Sequence, residues 1–371
     1  MSIKRYVAAL KRMNLPLAVA MALLAAGSIA FIYSASYAGP GQPMPTLFKW
    51  QAVWFAVGLG LFLVVSLVDY RTICQWAAVW YALAIGLLLV VLVIGVRVHG
   101  ARSWLGIGGL GIQPAEFAKL AVIVAVSYYL FHQSAETKRR WATLAGALLL
   151  VGVPAVLILM QPDLGSTLVL MPICFGLMFV AGVRVKHLVI VAVVGLVLMP
   201  VAWLKLKPYQ RARLTVFLDP AKDPLGSGWN LNQSMIAVGS GGWSGKGYLQ
   251  GTQNQLGYMP RTVTPSDFLF SVIAEEKGFV GSLWVVGLYA VIMFTGLRIA
   301  SEARDRLGML LATGVVAMLF FHVFINIGMT VGIMPITGLP LPLLSYGGSF
   351  VLASMTALGL LQNVWIHRRV Y

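Results

Sequence analysis

The sequence predicts an all-α integral membrane protein of ten transmembrane helices, with one large extracytoplasmic loop between helices 7 and 8. Three observations predict it. Of the 371 residues, 59% are hydrophobic and only 10% are charged, whereas a soluble domain carries about a quarter of its residues as charges. Mean hydropathy is +0.86, and ten apolar stretches approach or reach the ~20 residues that a bilayer crossing needs. The 27 Lys and Arg concentrate in alternate connectors, as membrane topology places them. A net charge of +16 does not indicate nucleic acid, because no basic stripe with interleaved aromatics is present. Cys74 and Cys174 offer neither a disulfide framework nor metal-ligand spacing.

The first span covers residues 15–33. Its basic prefix, with Ser36 and Ala38 behind it, mimics a cleaved signal, but the apolar run is long for one and reads as a retained helix. Spans follow at 53–68, 76–95, 114–131, 141–160, 164–183 and 188–204. The last three cover 279–297, 307–327 and 350–365. With the N-terminus inside, the cytoplasmic segments hold Lys4, Arg5, Lys11, Arg12, Arg71, Lys138, Arg139, Arg140, Arg184, Lys186, Arg298, Arg304, Arg306, Arg368 and Arg369. The short outer connectors hold only Lys49, Arg97 and Arg102. That bias puts both termini in the cytoplasm. The chain reads as one membrane domain, residues 1–371, with the long loop 204–266 inside it.

That loop is basic although it lies outside, with Lys205, Lys207, Arg211, Arg213, Lys222, Lys246 and Arg261. Long loops cross regardless of charge. Between residues 226 and 251 it is rich in glycine, which permits close backbone approach to a ligand. Trp229, Met235, Ile236, Trp243 and Tyr248 are interleaved with those glycines, so the loop is expected to be ordered and packed on the membrane surface.

Ionisable groups at span ends are costly and are functional candidates. Thr264-Pro-Ser-Asp267 has the pattern of a capping box, yet the same aspartate beside the membrane surface can act as a base. Glu116 and Lys119 are three apart and share a helix face. A lysine in the first turns opposes the helix dipole and needs Glu116 or an anionic ligand nearby. Structural ion pair and substrate contact stay equally open there, with Arg102 a candidate third member. Asp163 is first a helix cap. Glu275 and Glu276 are adjacent carboxylates, but neighbours on a helix point in different directions, which argues against a metal site. His322 and Asn326, one turn apart, read as an internal hydrogen-bonded pair.

Taken together, these segments resemble the SEDS family (shape, elongation, division and sporulation proteins). The resemblance rests on Arg102-Ser-Trp-Leu, Gln113-Pro-Ala-Glu-Phe-Ala-Lys119, Gln161-Pro-Asp-Leu-Gly165 and Asp223-Pro-Leu-Gly-Ser-Gly-Trp-Asn230. It continues through Gln233 to Gly247, Gly251-Thr-Gln253, Ser266-Asp-Phe-Leu-Phe270, Glu275-Glu-Lys-Gly-Phe279, Gly338-Leu-Pro-Leu-Pro342 and Ser345-Tyr-Gly-Gly348. The order and number of these segments carry it, and the Gly-Lys-Gly and Gly-Thr-Gln forms are similar to the RodA-like elongation branch. Two departures stand out: Pro265-Ser266 occupies the place of a common His-Thr, and Phe350 that of a second serine.

The resemblance implies a peptidoglycan glycosyltransferase that polymerises lipid II during cell elongation, at the outer face of a bacterial cytoplasmic membrane. It implies Asp267 as the catalytic aspartate, with Arg102, Glu116, Lys119 and Asp163 at family motif positions. Undecaprenyl pyrophosphate is a good leaving group, so one base suffices where glycoside hydrolysis uses two carboxyls. Arg102, Lys119, Arg211, Arg213, Lys246 and Arg261 are available to hold the pyrophosphate. A class B penicillin-binding protein is the implied partner. A divalent cation suits a pyrophosphate substrate, but no metal site is legible. A flippase or transporter is the main rival reading, since it also handles lipid headgroups, and a non-catalytic scaffold of the cell-wall synthase is another. A transport path needs charges at several depths, and here they cluster at outer span ends.

Overall fold

The computed structural model describes residues 12–368 apart from 38, 40–43, 99–100, 108–109, 135–140, 206–207 and 225. Part of the orientation reading rests on Lys4, Arg5, Lys11, Lys138, Arg139, Arg140 and Arg369, which lie outside the described residues, as do Ala38 and Lys207. The chain opens with α1 (Leu15–Ser36), α2 (Leu47–Leu67), short α3 (Tyr70–Gln75) and α4 (Ala77–Ile94). Strands β1 (Val96–Val98), β2 (Ala101–Ile107) and β3 (Leu110–Ile112) follow. Then come α5 (Pro114–Phe131), α6 (Trp141–Met160), α7 (Leu164–Val180), α8 (Val185–Lys205) and α9 (Pro208–Leu218). After a 3-10 turn (Pro220–Lys222) come α10 (Ser227–Ser240), α11 (Thr252–Gln255) and α12 (Thr264–Asp267). The chain closes with α13 (Leu269–Ser301), α14 (Arg306–Thr330) and α15 (Gly348–Ile366).

Among the described residues, eight helices are long and apolar enough to cross a membrane: α1, α2, α4, α5, α6, α13, α14 and α15. The apolar helix α7 and the apolar part of α8 (Val185–Pro200) are shorter. Helices α5, α14 and α15 are mostly buried, while most residues of α1, α2, α4 and α13 are not. That exposed surface is apolar, with Leu59, Val64, Leu83, Val93, Val280 and Phe294 among its residues. Such a surface suits lipid rather than water.

Three local features depart from the sequence reading. An all-helical chain was expected, and residues between α4 and α5 instead form an antiparallel sheet in the order β1-β2-β3, pairing Val96 with Trp104 and Leu105 with Ile112. The β-branched residues at its strand ends favour this pleated form. The expected capping box at Thr264 is also absent: Val263 is the N-cap of α12, and Thr264 Oγ1 donates to Pro260 O at 2.8 Å. The proline two residues into so short a turn leaves no room for the reciprocal bonds that a box requires.

The third departure concerns the glycines. α13 begins ten residues before the predicted span and breaks at Gly278 (φ 64, ψ −158). A broken helix releases carbonyls and amides that must find partners. Lys246 N and Gly247 N donate to Glu275 O and Glu276 O, both at 3.0 Å. On the other side of the break, Phe279 N donates to Gly242 O at 2.8 Å and Val280 N to Trp243 O at 3.1 Å. A Cβ at Gly245 would lie 2.2 Å from Glu276 O. Here the glycines let the loop backbone approach the broken helix.

The segment between α14 and α15 is irregular, and residues 341–345 within it are buried. Its carbonyls are satisfied by side chains from distant helices, as buried backbone requires. Ser28 Oγ donates to Leu344 O at 2.6 Å, Gln51 Nε2 to Ser345 O at 3.2 Å, and the Tyr289 hydroxyl to Pro342 O. This strap positions the candidate site.

Candidate active site

The strap's N-terminal half, Thr337 to Leu341, is where the chemically loaded segments converge. Gly338 has φ +73, a left-handed conformation that favours glycine. A Cβ built there would lie 3.6 Å from Asp267 Oδ2 and 3.5 Å from Arg213 Nη1. The carboxylate and the guanidinium therefore border the same small volume over one glycine. Arg213, on α9, also donates to Thr337 O at 2.9 Å.

Asp267 is held by its own backbone. It ends α12, where Phe268 (φ −117, ψ 22) interrupts the chain before α13. Tyr346 N donates to Pro265 O at 2.9 Å, pinning α12 to the strap. Asn326 Nδ2 donates to Asp267 O at 3.1 Å and to Leu339 O at 2.7 Å. Burial pushes the Tyr346 phenol up from its ordinary value, so this anchor residue stays neutral across the working range.

Glu116 and Lys119 form a buried ion pair, with Lys119 Nζ 2.9 Å from Oε1 and 2.8 Å from Oε2. Lys119 Nζ also lies 2.8 Å from His322 Nε2. An ammonium can only donate, so Nε2 accepts and Nδ1 carries the ring proton toward Pro340 O, 3.4 Å away. His322 and Asn326 thus do not bond to each other, as the sequence had suggested. Each reaches outward to the strap. Asp163 caps α7: Oδ1 accepts from Ser166 N at 3.0 Å, and Oδ2 accepts from Ser166 Oγ at 2.8 Å. Gln113 Nε2 donates to Oδ2 at 3.1 Å. Gly165, in the same motif, packs against Thr337 O and Leu339.

The other predicted cations stand elsewhere. Arg102 Nη1 donates to Leu92 O at 3.1 Å and Val93 O at 3.3 Å, closing the C-terminal end of α4. Arg211 donates to Leu204 O at 2.7 Å, and Arg261 to Gln255 O at 3.4 Å. Lys246 pairs with Glu275 Oε1 at 2.6 Å and donates to Thr252 Oγ1 at 2.8 Å. Glu276 instead accepts from Ser34 Oγ on α1. The two adjacent carboxylates turn to different partners, one of them a cation. Among the described residues no group of three or more His, Cys, Asp or Glu could hold a metal.

Sequence reasoning gave no site role to Gly338, to the strap carbonyls, or to His322 and Asn326. The signals were present: a Gly-Leu-Pro-Leu-Pro run that no helix accommodates, and two polar side chains inside an apolar span. Chemically, the arrangement offers one carboxylate to take a proton and one guanidinium to face developing negative charge.

A family model described as cell cycle protein, FtsW/RodA/SpoVE, matches residues 13–370. The chain is 36% identical to the peptidoglycan glycosyltransferase RodA of Treponema pallidum, covering 94% of this chain and 96% of that one. It is also 36% identical to the peptidoglycan glycosyltransferase MrdB of Escherichia coli K12, over 85% of this chain and 84% of the relative. The crystal structure of the Thermus thermophilus rod shape determining protein RodA is similar with TM-score 0.70 and 30% identity, covering 96% of this chain and 97% of that one. A chain from work on structural coordination of polymerization and crosslinking by a peptidoglycan synthase complex is similar with TM-score 0.81 and 34% identity, covering 96% and 98%.

Proposed function

Because the chain belongs to the FtsW/RodA/SpoVE family of cell cycle proteins, the SEDS family, we propose that it is a peptidoglycan glycosyltransferase that polymerises lipid II with Asp267 as general base. The observation that carries this reading is the shared volume over Gly338, bordered by the Asp267 carboxylate and the Arg213 guanidinium. The carboxylate takes the proton from the acceptor 4-hydroxyl of lipid II. The hydroxyl oxygen bonds to the anomeric carbon of the lipid-linked glycan, and the bond to undecaprenyl pyrophosphate breaks with inversion. Arg213 faces the charge that gathers on the departing pyrophosphate, where a planar fork suits two oxygens. Glu116, Lys119 and Asp163 stand behind the strap and shape it. In this reading Arg102, Arg211, Lys246 and Arg261 hold backbone and loop in place rather than the leaving group.

Ten spans are part of the same proposal, with α7 and α8 completing the set. The region from Leu204 to Ser266 then lies on the outer face with both termini in the cytoplasm of a bacterial inner membrane. A class B penicillin-binding protein is the proposed partner, and the neighbour from a peptidoglycan synthase complex supports that expectation.

The transport reading has one observation in its favour: Glu116, Lys119 and His322 are charged or polar groups buried between helices. Purified protein in liposomes decides between them. Polymer formed from labelled lipid II is the expected result. Lipid II crossing the bilayer without polymer would overturn the glycosyltransferase.

A further inference from the structure

The inner face of α14 carries a polar pair that the reaction, as derived so far, does not use. His322 and Asn326 are each about 1% exposed and lie one turn apart on one helix face. In a helix surrounded by apolar neighbours, such groups are retained only where they satisfy something. What they satisfy is specific. Asn326 Nδ2 has two hydrogens, and both are committed: one to Asp267 O, the other to Leu339 O. Its Oδ1 has no partner, so the amide is kept for its donors, not its acceptor.

The Asp267 carbonyl needs such a donor. It ends the four-residue helix α12 at a break, and the amides of Ser271 and Val272 bond to Phe268 O instead. The Leu339 carbonyl belongs to the irregular strap and has no helical partner either. One amide therefore ties the peptide that carries the carboxylate to the peptide next to Gly338. Their separation sets the volume in which Asp267 and Arg213 meet. One turn earlier, His322 joins the next strap carbonyl, Pro340 O, to the Glu116–Lys119 pair on α5.

We propose that Asn326 is a positioning residue for the glycosyl transfer, fixing the distance between the Asp267 carboxylate and the strap at Gly338. The proposal rests on the reading of Asp267 as general base. A carboxylate displaced by about 1 Å loses on the order of a hundredfold in rate while the substrate's other contacts persist. The effect therefore falls on kcat and not on KM.

A second asparagine supplies the control. Asn363, at the far end of α15, also clips two carbonyls, Val65 O and Val68 O, with its Nδ2. It is equally buried and touches no candidate site residue. Purified Asn326→Ala and Asn363→Ala are assayed for lipid II polymerisation and for thermal unfolding, beside Asp267→Asn. The expected result is a kcat at least tenfold lower in Asn326→Ala with KM within about twofold of wild type. Asn363→Ala is expected to melt earlier while its folded fraction keeps the wild-type kcat. Should Asn326→Ala fail to fold, Asn326→Gln keeps both donors one methylene farther out and is expected to show the same kcat loss. Wild-type kcat in the folded variant, or a loss wholly explained by unfolded protein, overturns the positioning role. An active Asn326→Ala beside an inactive Asp267→Asn removes this proposal alone. An active Asp267→Asn removes the base beneath it.

Discussion

Gly338 is the residue on which the site turns. Its φ of +73 costs a residue with a side chain about 1–2 kcal/mol, and a methyl there would touch both Asp267 and Arg213. Gly338→Ala is expected to lower stability by about that amount, measured by thermal unfolding. Its activity should fall further than the stability loss accounts for, because the methyl enters the reacting volume. Normal polymerisation by the alanine variant would remove Gly338 from the site. Individual residues differed in how far their sequence exposed them. Asp163 as a cap follows from spacing, and spacing put Glu116 and Lys119 on one face while leaving open whether they pair with each other or meet a ligand. The role proposed for Asp267 rests mainly on the resemblance, because its local sequence reads first as a helix cap. Lys246 shows its charge in the sequence but not its partner Glu275, which lies 29 residues away.

At the scale of elements, the broken helix α13 and the glycine turn at residues 241–247 form one unit. Gly245 has φ +79, and a Cβ there would meet Glu276 O at 2.2 Å. Gly245→Ala therefore strains the backbone and pushes the turn off the break, at a cost of about 2 kcal/mol or more. Faster proteolytic nicking of the loop is the expected readout, and unchanged cleavage would contradict the docking described here. The apolar period of α13 was legible, but the break was not, because the four bonds that satisfy it come from another segment. The strap's contacts were not legible for a similar reason: irregular backbone has no period, and Leu344 finds Ser28 across 316 residues. The start of α14 carries a pH dependence. Burial raises the Asp305 carboxyl, but the Gly308 amide, Arg71 and Tyr70 more than offset it and hold it below the ordinary carboxylate value. A depressed carboxylate contributes stability that is present at neutral pH and lost as pH falls through its folded value. Asp305→Ala should cost about 1 kcal/mol at pH 7 through its lost cap. The gap between variant and wild type should close in acid, and a gap independent of pH would contradict this.

For the whole molecule, composition pointed to lipid as the solvent and the apolar segments pointed to a helical bundle, but hydropathy did not show that α5, α14 and α15 are its most buried helices. What composition could not supply was the assembly of one site from α9, α12, α14 and the strap, because tertiary contacts between spans leave no mark on hydropathy. The small sheet between α4 and α5 went unseen because its strands are three to seven residues long, too short for a period to register. The central claim is that this bundle is a polymerase built around a single carboxylate. Its most direct test is glycan formation from lipid II by purified wild-type protein and by Asp267→Asn, with melting and lipid II binding followed in both. Polymer from the wild type and none from a folded, lipid-binding variant is the predicted result; full polymerisation by Asp267→Asn would contradict it.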